Sequence, residues 1–99
     1  MRKDRQIVEI VLTFSNTNYS IKGEQALLAA DIPVKVMPLP AEIRAGCGLC
    51  LRIDEIDFPK VKLTLKEANV PVEGEYLRKT VENKTVYEAY EKGIENENF

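Results

Sequence analysis

Between Ile7 and Phe14, Val8, Ile10, Leu12 and Phe14 fall on one parity and Glu9 and Thr13 on the other. A period of two with many β-branched residues predicts a strand buried mainly on one face. Such a strand needs paired neighbours and a second layer over its apolar side, so the elements that come after it decide the fold. Ser15, Asn16 and Thr17 supply turn and N-cap chemistry. Beyond them, Ile21, Gln25 and Leu28 lie along one helical row beside Leu27, with Gly23 as a mild internal weakness. The spacing predicts a helix over about 18–30.

Prolines at both ends bound a short second strand in Ile32-Pro33-Val34-Lys35-Val36-Met37-Pro38. Leu39 to Gly48 lacks a sustained period and contains Pro40, Gly46 and Gly48, which reads as a loop before a third strand, Leu49 to Asp54. Asp57 is placed to cap a second helix with Pro59 in its first turn. Phe58, Val61, Leu65 and Ala68 form its apolar stripe, and the helix should stop near Asn69. A fourth strand is expected around Glu75 to Thr80. The order strand, helix, strand, strand, helix, strand predicts an α/β (α+β) fold, a ferredoxin-like βαββαβ sandwich over residues 1–80. Thr85 with Glu88 fits a capping box, Val86, Tyr87 and Tyr90 share a helical side, and Gly93 is a stop signal. Residues 81–99 are therefore expected to add a short C-terminal helix.

With 99 residues, 44% hydrophobic and 30% charged, the chain has the composition of one small globular domain and no room for a large enclosed site. Fourteen basic against sixteen acidic residues give a net charge of -2, which argues against nucleic acid and anionic lipid as partners. RNA recognition on this topology would also want aromatic residues on the third strand, which has none. The apolar run after Met1-Arg2-Lys3-Asp4-Arg5 is too short for a membrane span or a secretion signal, so a cytoplasmic location is expected. The acidic side chains Glu88, Glu91, Glu95 and Glu97 read as a solvated helix face, and Tyr87 with Tyr90 as packing.

Cys47-Gly48-Leu49-Cys50 contains the only two cysteines, and the chain has no histidine. The commonest general base and metal ligand is thus missing, which leaves carriage, exchange or oxidation at sulfur. Gly46 and Gly48 permit unusual dihedrals around Cys47, and their N–H groups could form an anion-favouring nest. Arg44 and Arg52 could lower the pKa of an accessible Cys47 thiol, while Glu42, Asp54 and Glu55 are near enough to offset them. Strand parity puts Cys50 and Arg52 on the open sheet face, opposite Leu49, Leu51 and Ile53. Cys50 is then either a small hydrophobe or a resolving thiol. Three extended residues span about 10 Å, beyond the ~7 Å Cα separation of a disulfide, so pairing with Cys47 requires a bend at Gly48-Leu49. Thioredoxin-like enzymes place this motif at the start of a helix, whereas here a strand comes next. Two cysteines without histidine fall short of a four-ligand zinc or cluster site, so neither a metal nor another cofactor is expected.

The stretch from Phe14 through Arg52 resembles the selenium/sulfur carrier protein-like family, a likeness that spans most of residues 7–80. The pieces that carry it are Phe14-Ser15, Glu24 and Leu27-Leu28, Ile32-Pro33-Val34, Pro38-Leu39-Pro40, and above all Ile43 followed by Cys47-Gly48-Leu49 and Leu51-Arg52. Cys47 occupies the position that the family name assigns to a carrier thiol. The resemblance implies a stoichiometric carrier rather than an enzyme, taking sulfur or selenium as a persulfide-type adduct on Cys47 and passing it to a partner thiol. Its partners would be proteins such as a cysteine desulfurase or a sulfur acceptor. Two readings from other classes stand beside it: an interaction or ligand-sensing module whose open sheet face pairs two chains, and a redox switch of Cys47 with Cys50.

Overall fold

The computed structural model describes residues 6–90. Strand β1 (Gln6–Thr13) leads into helix α1 (Thr17–Ala29), followed by β2 (Lys35–Pro38) and β3 (Leu49–Asp54). A 3-10 turn (Glu55–Asp57) opens onto α2 (Phe58–Glu67), and β4 (Gly74–Val81) and β5 (Lys84–Ala89) are the last elements of the described residues. The fold is mixed α and β: five antiparallel strands in the order β2-β3-β1-β4-β5, with two helices. The expected order of the first four strands and two helices is the observed one, and β3 has the predicted bounds.

The most apolar strand, β1, lies at the centre because it must be covered on both edges and both faces. Its Ile10 and Leu12, with Leu51 and Ile53 of β3, meet Leu27 of α1 and Phe58, Val61 and Leu65 of α2 in the main core. The opposite parity carries Val11 and Cys50 into a smaller cluster with Ile43. Ile43 belongs to the long β2–β3 connection, residues 39–48, so that connection folds over the sheet face away from the helices. The face expected to be open is therefore covered where Cys50 sits.

Both helices end alike. Asp31 and Asn69 adopt left-handed φ values of 62° and 60°, and the next residues, Ile32 and Val70, return their N–H groups to Leu27 and Leu65. This is the Schellman closure, and it buries Ile32 and Val70 in the core as the chain leaves each helix.

Two expectations fail. The row Ile21, Gln25, Leu28 does not face the core: Ile21 is 45% and Leu28 52% exposed, and α1 buries Ser20, Gly23 and Leu27 instead. The helix lies close to the sheet through small residues, and a Cβ on Gly23 would stand 3.3 Å from Leu51 Cδ1. Gly23 is a packing position, not a weak point. Nor does a helix begin at Thr85. Residues 84–89 form β5, paired antiparallel with β4. The turn at Glu82-Asn83 has φ of 50° and 70°, the pattern of a two-residue hairpin loop whose twist matches its strands. The Thr85-x-x-Glu88 spacing lost to strand pairing and to the period of two in Thr85 and Tyr87. The stop assigned to Gly93 lies outside the described residues.

Candidate thiol site

Cys47 comes from the β2–β3 connection, yet its sulfur lies against the first turn of α1. Asn16 caps that helix by accepting the Tyr19 N–H at 2.9 Å. One turn of helix then places Thr17 and Ser20 on the same side, and both hydroxyls reach Cys47. The Cys47 thiol donates to Thr17 Oγ1 at 3.6 Å, and Ser20 Oγ lies at 3.6 Å from the sulfur. With Cys47 in its thiol form Ser20 also donates to the Thr17 carbonyl at 2.8 Å; on ionisation the two hydroxyls turn as donors to the sulfur, which is how they lower its pKa. From the chain's own turn, the Leu49 N–H donates to Cys47 Sγ at 3.3 Å.

The loop is pressed onto the β1–α1 junction. Cys47 N–H donates to the Phe14 carbonyl at 3.1 Å, and Gly46 N–H to Glu73 Oε1 at 3.1 Å. A Cβ on Gly46 would lie 2.4 Å from the Ser15 carbonyl oxygen, so only glycine permits this approach. Neither Gly46 nor Gly48 has a positive φ, and the Gly46 and Cys47 N–H groups are spent inside the protein. The Gly46 N–H is therefore not free to join the expected anion nest. Close approach is what Gly46 supplies, while Gly48 has open space where a side chain would stand.

The result is a covered thiol with raised acidity. Cys47 is 2% exposed, not the accessible group anticipated from the glycines. Burial pushes its pKa up, but the Leu49 N–H and the Thr17 and Ser20 hydroxyls together outweigh burial and the nearby Glu73 charge. The net shift is downward from the ordinary thiol value. The positive end of the α1 dipole acts in the same direction. Thus a helix N-terminus does serve this cysteine, although not the helix that sequence adjacency would suggest.

The arginines take other roles. Arg44 is exposed, and it does not enter the causes of the Cys47 shift. Arg52 stands on the far sheet face, 3.5 Å from Glu9, which also accepts from Arg78 at 2.6 Å. Arg52 tempers the upward shift of Cys50 instead. Cys50 is completely buried, with weak contacts from its thiol to the Met37 and Pro38 carbonyls. Burial first, and then the Cys47 charge, push its pKa up to about 11. Both cysteines are free, and they belong to clusters on opposite faces of the sheet. The chain does bend at residues 46–48, yet the two cysteines still fall into separate clusters.

Of the expected site residues, the structure joins Cys47 with Gly46 and Gly48 and separates it from Arg52 and Cys50. Sequence reasoning missed Thr17, Ser20 and Glu73. The spacing of Thr17 and Ser20 next to an N-cap was a usable signal; nothing local marked Glu73. A cleft of about 580 Å³ lies between α2, Tyr19 and the segment from Val70 to Glu75, and neither cysteine lines it. Among the described residues, no group of three Cys, Asp or Glu side chains could hold a metal ion, and no helix is long and apolar enough to cross a membrane.

Residues 9–77 match the family described as "Putative Se/S carrier protein-like". The chain belongs to this family. The matched span runs from the centre of β1 into β4 and contains the whole thiol site, Glu73 included. No curated protein and no solved structure matches the chain.

Proposed function

We propose that this Se/S carrier-like protein carries sulfur or selenium on Cys47, as a stoichiometric carrier between two partner proteins on a ferredoxin-like scaffold. One observation supports the reading above the others: a buried cysteine, in a family named for such carriage, is surrounded by three hydrogen-bonding groups that favour its thiolate over its thiol. A purely structural cysteine needs none of these, as the high pKa of Cys50 illustrates.

Loading is redox-neutral. The Cys47 thiolate attacks the outer sulfur of a donor protein's persulfide; a Cys47–sulfur bond forms, the donor's sulfur–sulfur bond breaks, and the donor thiolate leaves. Delivery repeats the step with an acceptor thiolate attacking the outer atom on Cys47, whose thiolate departs. A low leaving-group pKa speeds that departure, so the same hydroxyls that ionise Cys47 for loading ease its release. Cys50 takes no part. The chemistry requires thiols kept reduced, as in the cytoplasm.

Peptide mass spectrometry after anaerobic incubation with a cysteine desulfurase and cysteine tests this. One added sulfur atom on Cys47, absent in Cys47→Ala and retained in Cys50→Ala, is expected. Unmodified Cys47 under conditions that load an established carrier would overturn it.

A further inference from the structure

The proposed chemistry requires Cys47 to meet another protein's sulfur, and in this structure it is 2% exposed. What keeps it covered is the flat seating of residues 46–48 on the β1–α1 junction. Two N–H groups of the segment, those of Gly46 and Cys47, hold it to that junction, while its Gly48 carbonyl accepts from the Leu39 N–H at 2.9 Å. The Cys47 N–H is bound by the Phe14 backbone carbonyl, which is part of the fold and has nowhere to go. The Gly46 N–H is bound by a side chain, the Glu73 carboxylate, reaching across from the segment before β4. Backbone pairing of Glu73 N–H with the Thr13 carbonyl at 2.7 Å fixes where that carboxylate starts. Its oxygen atoms, however, lie on an exposed residue, accessible to solvent and to a docking protein.

We propose that Glu73 is the latch of the thiol site, and that a cationic side chain, Lys or Arg, of a docking protein releases it by drawing the carboxylate off Gly46. The inference rests on the carrier reading for what is released, but not for the latch itself. Three features make Glu73 suited to the task. Its partner is a main-chain N–H one residue from Cys47, so motion there is passed directly to the thiol. Its carboxylate is the part of the seating that an outside charge can compete for. Its negative charge opposes the thiolate, so pairing it with a cation favours ionisation as the loop lifts. Release of one such surface hydrogen bond raises the open population about fivefold.

Alkylation of Cys47 by iodoacetamide, followed by peptide mass spectrometry across pH, separates exposure from ionisation: the alkaline plateau reports exposure and the midpoint reports the thiolate. Glu73→Ala is expected to raise the plateau about fivefold over wild type and lower the midpoint. Glu73→Gln, which keeps the acceptor and loses the charge, should lower the midpoint and leave the plateau near wild type. An oligo-arginine peptide should accelerate alkylation of the wild type and not of Glu73→Ala. An unchanged plateau in a folded Glu73→Ala, or equal acceleration of both proteins by the peptide, would overturn the latch. The peptide arm on wild type alone needs no variant that could misfold; no acceleration there at low salt also overturns it. None of these readouts uses sulfur cargo, so failure of loading in the desulfurase experiment would remove the carrier and leave the latch standing.

Discussion

At the scale of single residues, the two cysteines differ by environment alone. Cys50 has its folded pKa raised to about 11 from an ordinary value of 9.0. Its contribution to stability is complete below pH 9, where both states hold the proton, and is lost as pH rises from 9 through 11, where the unfolded chain ionises first. About 2–3 kcal/mol should vanish across that window. Urea unfolding of wild type and Cys50→Ala from about pH 8 upward checks this: the variant starts less stable and lacks that portion of the alkaline slope. Cys47 has the opposite sign. Its depressed pKa adds stability as pH climbs from the folded value toward 9.0, and that stability is absent below the folded value. Ser20→Ala and Thr17→Val each remove a hydroxyl from the thiolate, and the alkylation rate of Cys47 at neutral pH should fall several-fold in each. A rate that stays at the wild-type value in both would assign the acidity to the helix dipole and the Leu49 N–H.

Elements impose a different kind of constraint, because backbone shape decides which residue types fit. The β2–β3 connection divides its apolar anchors, Ile43 to the smaller cluster and Cys47 to the main core, and Gly46 makes this division possible. Gly46→Ala drives a methyl group into the Ser15 carbonyl, backbone against backbone, and should cost about 1–3 kcal/mol with loss of Cys47 protection. Thermal unfolding together with the alkylation plateau measures both effects. At the β4–β5 turn, Glu82 is a poor residue for a φ of 50°. Asn tolerates that conformation better, so Glu82→Asn should stabilise the hairpin by a few tenths of a kcal/mol to about 1 kcal/mol. A lower melting temperature would contradict the turn assignment.

For the whole molecule, protection should track the sheet order. β1 is paired on both edges and buried on both faces, whereas among the described residues β2 and β5 each have a neighbour on one edge only. Native-state hydrogen exchange is expected to be slowest in β1 and faster at β2 and β5, since central strands open only with the global transition. Helix α1, seated on the sheet through Ser20, Gly23 and Leu27, should exchange with β1 rather than ahead of it. Early exchange of α1 would show that the exposed Ile21 and Leu28 face marks a weakly held helix.

The sequence alone determined the alternation of β1, the bounds of β3, the cap of α1 and the place of Cys47 just ahead of β3, because each depends on neighbours within a few residues; Asp57, expected to cap α2, stands at its N-terminus without a side-chain cap bond. The sequence also carried the family pattern across residues 9–77. Tertiary structure decided the rest. Which face α1 buries depended on how closely the sheet approaches, and small residues won over Ile21 and Leu28. Whether residues 84–89 became helix or strand depended on the free edge of β4, which no local spacing encodes. The thiol's chemistry was settled in the same way: Thr17, Ser20 and Glu73 lie far from Cys47 in sequence, and only folding brings hydroxyl, carboxylate and sulfur together.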